Sequence, residues 1–198
     1  MELIKKKLEE LNNNEIEKIL NCLKSKQTIV IQSDTIYGFS CLASSDIAIK
    51  KLNKIKERRK NKSFIVLISS FSMLSKYAHL NFWQKNAVKE IWQKKRPTSI
   101  ILESQNKLAK SLEKGDSLAF RLPKSQIFIK IIKRLGEPVV STSFNFSGHD
   151  LIDINQVSQV FKNKKHKPAL IINSNDNRKI KASRLVDLRN KKVKILRK

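Results

Sequence analysis

Apolar residues at Leu8, Leu11, Ile16, Ile19, Leu20 and Leu23 recur near helical spacing and predict an amphipathic opening helix. TIVIQ at 28–32 reads as a buried strand running into the loop SDTIYG at 33–38. A second helix is predicted over 46–57, with Asp46 as its N-cap and Ile49, Leu52 and Ile55 along one face. It delivers a cluster of cations at its C-terminal end. The continuous apolar run FIVLIS at 64–69 has the length of a strand covered on both faces. Helical spacing returns over 71–78 and 81–94, where Phe82, Trp83 and Trp92 read as core. TSIILE at 98–103 and SLAFRL at 117–122 read as strands, and 125–135 as a helix stopped by Gly136. PVVST at 138–142 is a short strand leading into SFNFSG, and 155–161 is a short helix. ALIIN at 169–173, RLVDL at 184–188 and KVKIL at 192–196 complete the strands, with 174–183 as a surface loop. Strands and helices alternate without repeats or long linkers, which predicts a single α/β domain over residues 1–198 on a largely covered sheet.

Composition narrows the setting. A chain of 198 residues buries about 70% of the surface its unfolded form exposes, so it needs no disulfide staples. Cys22 and Cys41 form no CxxC pair, and a reducing cytoplasm fits them best. Charge interrupts every apolar stretch of the first 20 residues, as in neither a signal peptide nor a membrane span. The 42 Lys and Arg against 17 Asp and Glu give a formal charge of +25. Such a field concentrates polyanions near the surface. Abundant Lys, Ile and Asn with only four Gly are equally the mark of A+T-rich coding, so bulk charge does not identify a partner.

Placed polar residues say more, because open α/β sheets bind ligands beside strand ends. SDTIYG offers hydroxyls, a carboxylate and a glycine in one loop, although a tight turn capped by Asp34 accounts for the same pattern. From Lys50 to Lys62 there are eight basic residues and one acid, Glu57. A solvated helix face explains most such runs, but this one straddles a helix end, where Lys56, Arg58 and Lys62 can converge on a polyphosphate. Arg121 interrupts the strand SLAFRLP close to the apolar interior. It needs a partner there, either Glu103 or Asp116 in an ion pair or a ligand carboxylate or phosphate. STSFNFSG gathers Ser141, Thr142, Ser143 and Ser147 around Asn145, as an anion cradle or a Ser/Asn-rich turn would. No P-loop, GxGxxG, HExxH or GxSxG is present. His79, His149 and His166 are isolated, and His149 reads as a surface residue.

Taken in order, these segments resemble the YrdC/Sua5/TsaC family of threonylcarbamoyl-AMP synthases. QSDTIYGF is similar to the family's P-T-D-T-V/I-Y-G-L loop, IKERRKNKSFIVL to I-K-x-R-x-x-x-K-P-L, and RPTSIIL to G-P-V/F-T-L/F-I/V-L. LAFRLP matches V/L-A-V/I-R-x-P, VVSTSFNFSG matches the S-T-S-A-N-x-S-G stretch, and SRLVDLRNKKVKILRK resembles the family's ending. The resemblance implies a twisted, largely mixed β-sheet with flanking helices and a basic concave cavity. It implies formation of threonylcarbamoyl-AMP and pyrophosphate from L-threonine, bicarbonate and ATP, a nucleotidyl transfer serving the t6A modification of tRNA. Lys56 and Arg58 would act at the reacting phosphate, joined on ATP by Lys62, Ser117, Ser143, Asn145 and Arg197. Thr35, Arg121, Ser141 and Ser183 would hold threonine. Mg2+ would arrive with ATP, without a dedicated metal cage in the protein, and the product would pass to a threonylcarbamoyl-transferase complex. Arg96 stands in place of a glycine, Ser63 of a proline and Arg184 of a hydroxyl residue, and Phe144 is expected to narrow the pocket.

A reading of another class uses the same fold as a non-catalytic RNA-binding platform, supported by ten basic residues and one acid between Arg178 and Lys198. An RNA platform needs positive charge but not the ordered set Arg58, Lys62, Arg121, Ser143 and Asn145, which favours the enzyme.

Overall fold

Short polar side chains mark where the helices begin. The computed structural model describes residues 1–57, 64–113, 115–175 and 181–198. The Asn12 side chain accepts a hydrogen bond from the Glu15 N–H and the Glu15 carboxylate accepts one from the Asn12 N–H, a reciprocal cap on α1 (Asn13–Lys24). Asn81 and Gln84 repeat the device on α4 (Phe82–Gln93). Ser45, Ser70 and Ser125 cap α2 (Asp46–Ile55), α3 (Phe71–Tyr77) and α5 (Gln126–Leu135). Asp46 is therefore not the N-cap of α2. Ser45, one residue earlier, is extended at φ −109° and accepts from Ala48, while Asp46 accepts from the Ser111 N–H at 2.8 Å. Gly136 ends α5 at φ +79°, a left-handed position that suits glycine. A 3-10 turn at Ile154–Gln156 leads into the single turn α6 (Val157–Val160).

The strands are β1 (Glu2–Lys5), β2 (Ile29–Gln32), β3 (Tyr37–Leu42), β4 (Ile65–Leu67) and β5 (Thr98–Glu103), followed by β6 (Ser117–Arg121), β7 (Val139–Ser143), β8 (Leu170–Asn173), β9 (Arg184–Asp187) and β10 (Lys194–Arg197). Among the described residues they form one mixed sheet in the order β1-β8-β2-β3-β7-β4-β6-β5-β9-β10. β1, β3 and a shorter opening helix depart from the pattern-based expectation. β1 is a short, half-exposed edge strand beside β8, without the alternation that marks a strand in sequence. β3 takes the last two residues of SDTIYG into a hairpin with β2, pairing Gln32 with Tyr37 and Ile31 with Gly38.

The core forms where α1 packs on β2 and β3, α2 on β3 and α4 on β5, with α5 packed against α1. Phe39, Phe144 and Phe161 are fully buried and meet at ring-centroid separations of 5.0 and 6.3 Å. Phe144 thus fills the core instead of narrowing a pocket, because the strand end turns its ring away from the open face. Trp92 is buried and donates its indole N–H to the Thr98 carbonyl, whereas Phe82 is 80% exposed and is not core. Its place as the first residue of α4 leaves it outside the buried stripe.

Candidate active site

Residues alternate across a strand, so every second side chain of neighbouring strands can line one cavity. Here β6 supplies Ala119 and Arg121, β7 supplies Ser141 and Ser143, and β9 with the residue before it supplies Leu185 and Ser183. Thr35 and Ile36 come from the β2–β3 turn and Arg197 from β10. The cavity is about 310 Å³, and its described lining holds two arginines and no carboxylate. Glycine is required at one wall. A Cβ on Gly38 would lie 2.8 Å from the Ser141 hydroxyl and 2.9 Å from the Thr142 carbonyl, so β7 approaches β3 here only because that atom is missing.

Arg121 lies at the end of β6 with only 3% of its surface exposed. Its Nη1 donates to the Thr35 hydroxyl at 3.0 Å and its Nη2 to the Ser33 hydroxyl at 2.7 Å. The ion pair is with Asp34, 3.4 Å away, and not with Glu103 or Asp116. Glu103 and Asp116 lie toward the far end of the β5–β6 pair, where Glu103 is opposite Ser117. Burial pulls the guanidinium below its usual pKa. Asp34 opposes that shift and Arg197 adds to it. Both Asp34 oxygens and the Arg121 Nε are buried without a hydrogen-bond partner among the described residues. A guanidinium with an open donor beside hydroxyls is suited to a small carboxylate.

Lys56 follows α2 and is buried. Its ammonium donates to the Ser143 carbonyl at 2.5 Å, the Asn145 carbonyl at 2.8 Å and the Asn145 Oδ1 at 2.7 Å. The Ser143 hydroxyl also donates to Asn145 Oδ1, and Asn145 Nδ2 donates to the His149 carbonyl. Lys56 thus ties the end of α2 to the turn that follows β7. His149 itself is exposed and contributes its backbone.

On the other wall the Ser183 hydroxyl shares a 2.8 Å hydrogen bond with Ser99. Arg197 reaches back from β10, donating Nε to the Ser183 carbonyl at 2.9 Å and Nη2 to its hydroxyl at 3.3 Å. The structure therefore brings Thr35, Arg121, Ser141, Ser143, Ser183 and Arg197 to one cavity, with Lys56 and Asn145 bracing its edge. Ser117 shares the cavity-facing side of β6 but lies beyond the lining residues, where its hydroxyl accepts from Arg189 Nη1 at 3.4 Å. Arg58, Lys62 and Ser63 lie outside the described residues, as does 176–180 of the expected surface loop. Residue-by-residue reading missed Ser33, Asp34 and Ser99 as supporting partners, and Tyr37, which lines the cavity while its hydroxyl binds Ser174 at 2.6 Å. Strand pairing, absent from local spacing, is what makes them neighbours.

A mixed sheet carrying this cleft defines a recognisable class, and comparisons with known proteins say which. The Sua5_yciO_yrdC family model, described as Telomere recombination, matches residues 21–198. The chain belongs to the Sua5/YciO/YrdC family. Threonylcarbamoyl-AMP synthase of Psychromonas ingrahamii is 30% identical over 158 residues, covering 77% of this chain and 81% of that one. A putative threonylcarbamoyl-AMP synthase of Methanocaldococcus jannaschii is 29% identical over 87% of this chain and 88% of its own. P. abyssi Sua5 complexed with L-threonine superposes with a TM-score of 0.86 at 21% identity, over all of this chain and 57% of that one. E. coli YciO gives 0.82 at 20% identity, over 99% and 93%. These structures establish the shared fold.

Proposed function

We propose that this protein is an L-threonylcarbamoyladenylate synthase, a nucleotidyltransferase acting on L-threonine, bicarbonate and ATP for the t6A modification of tRNA. The observation that carries the reading is Arg121, a buried cation whose Nε–H has no partner among the described residues, on the wall of a cavity lined by hydroxyls. A threonine carboxylate would pair with it, leaving Thr35, Ser141 and Ser183 for the hydroxyl and amine. The amine and bicarbonate would give a carbamate with loss of water. A carbamate oxygen would then attack the α-phosphorus of ATP, breaking its bond to the bridging oxygen and releasing pyrophosphate. Two anions must meet in line, so the work of the site is positioning and charge neutralisation. Arg58, Lys62 and Arg197 would contribute positive charge, and Ser117, Ser143 and Asn145 polar contacts to ATP. Lys56 would act by holding the Ser143–Asn145 turn that faces the phosphates.

Among the described residues no group of three or more His, Cys, Asp or Glu side chains is arranged to hold a metal. Magnesium would enter as part of the Mg–ATP substrate, ligated by phosphate oxygens and water. Two free cysteines, Cys41 fully buried, fit a reducing cytoplasm. Among the described residues no helix is long and apolar enough to cross a membrane. The adenylate would be handed to a transferase complex acting on tRNA. Purified protein given ATP, Mg2+ and bicarbonate is expected to release pyrophosphate only with threonine, and Arg121→Ala to lose threonine use while retaining any RNA affinity. Release without threonine would remove threonine as the substrate, and no release while RNA binds tightly would return the protein to the class of RNA-binding platforms.

A further inference from the structure

A second cavity, of about 140 Å³, lies behind the first. Arg184 lines it while Ser183 and Leu185 line the front cavity, so alternation along β9 places the two on opposite faces of the sheet. Lys94 and Arg96, at the exit of α4, bring two more cations to the same space. Its carboxylate, Glu90, is already paired with Lys94 at 2.8 Å on the exposed rim. Three positive groups against one negative leave a net positive hollow. The buried Nε–H of Arg184 has no hydrogen-bond partner among the described residues, a state uncommon in folded proteins unless something binds. Local bonds hold the cations there. The Arg184 backbone N–H donates to the Pro97 carbonyl at 2.9 Å, and the Thr98 hydroxyl to the Arg96 carbonyl at 3.1 Å.

We propose that this rear cavity binds a small tetrahedral oxyanion, inorganic phosphate or a terminal phosphate of similar size, between the Arg184 and Arg96 guanidiniums with Lys94 at the rim. Arginine forks match paired oxyanion oxygens, and a hollow of about 140 Å³ takes a free ion more readily than a phosphate flanked by two riboses. Arg96 and Arg184 are both positions at which the chain departs from the motifs described above, and they meet in this one place. Occupancy would stiffen the start of β9, whose next-door residue Ser183 faces the front cavity, yet it does not depend on what that cavity binds.

The test is a titration of inorganic phosphate into full-length protein with ¹⁵N-labelled arginine, following side-chain Nε–H signals. Signals of Arg96 and Arg184, assigned by their loss in Arg96→Gln and Arg184→Gln, are expected to shift together and saturate. Threonine should not displace the ion. Arg96 is exposed, so Arg96→Gln should fold normally and weaken phosphate about tenfold, the effect of losing one charge-assisted contact. The proposal is overturned if only Arg121 and Arg197 respond, if the shifts rise without saturating, if Arg96→Gln binds as wild type does, or if a single-stranded RNA oligomer moves these signals while phosphate does not.

Discussion

Replacing Asp34 by asparagine removes the charge that balances Arg121 while keeping the side chain's shape. The two groups are 3.4 Å apart, with side-chain exposures of 8% and 4%. At an effective dielectric of about 20 their attraction is ~5 kcal/mol. Part of that offsets the desolvation of a carboxylate whose oxygens accept no hydrogen bond, so the expected loss is about 3 kcal/mol. For a chain of this length that lowers the melting temperature by roughly 6–12 °C. Threonine changes the balance. Its carboxylate would give Arg121 a new counter-charge, and in the variant no Asp34 repels it, so saturating threonine should raise the melting temperature of Asp34→Asn by more than it raises that of wild type. Thermal unfolding by circular dichroism with and without threonine measures both quantities. Equal threonine-induced shifts in the two proteins would falsify the placing of the carboxylate at Arg121.

Three further outcomes follow from single contacts. Lys56→Met removes the ammonium that donates to three oxygens of the Ser143–Asn145 turn, two of which keep one weaker donor each, the Ser143 hydroxyl on Asn145 Oδ1 and the Asn145 N–H on the Ser143 carbonyl; a loss of about 2–4 kcal/mol is expected, with a raised KM for ATP, and Lys56→Arg should not rescue because a planar fork cannot reproduce three donors from one nitrogen. Gly38→Ala sets a methyl against the β7 backbone, which should cost about 1–3 kcal/mol in denaturant unfolding and weaken threonine use; an unchanged midpoint would contradict the close approach. Asp187 is held below the usual carboxylate range, chiefly by its hydrogen bonds from Arg189. Its stabilisation is therefore complete above the unfolded-state pKa of about 3.9 and is lost as pH falls through the lower folded value. Asp187→Asn should flatten the acid side of the stability curve, and an unaltered acid slope would count against the pair.

Helices were legible because their signals are local. The stripe Ile16, Ile19, Leu20 and Leu23 and the stop at Gly136 lie within a few residues of what they control, although the cap of α2 is Ser45, one residue before the Asp46 expected. Some cavity residues were legible as types: Thr35, Arg121 and Ser141 are polar groups beside strand ends, whereas Ser183, read locally as part of a surface loop, came in only through the resemblance and is buried; the structure gathers all four. Partners were not. The choice of Asp34 over Glu103 or Asp116 depends on which strand end lies over which, and the burial of Phe144 depends on Phe39 and Phe161, each contributed by a separate segment. β1 escaped notice because an edge strand with one side in water carries little hydrophobic pattern.

The contact between Thr35 and Arg121 shows how far shape departs from spacing. Register puts Arg121 in the same row as Leu67, Val139 and Leu42, while Tyr37 begins β3 five residues before Leu42. On a flat sheet three strand spacings and five residues would separate Arg121 from Tyr37 by roughly 22 Å, well beyond the combined reach of an arginine and the two residues back to Thr35. The 3.0 Å hydrogen bond from Arg121 to Thr35 therefore requires coiling of the sheet, with the turn at 33–36 folded over its open face. The length of that turn then sets the threonine site. Inserting one glycine between Asp34 and Thr35 adds about 0.2 kcal/mol of loop-closure cost and leaves the β2–β3 pairing intact, but it moves the Thr35 hydroxyl off Arg121. Steady-state pyrophosphate release should show KM for threonine rising about tenfold, equivalent to ~1.4 kcal/mol, with KM for ATP nearly unchanged. Unimpaired threonine use would mean that the turn does not close the pocket, and the assignment of Thr35 would fall with it.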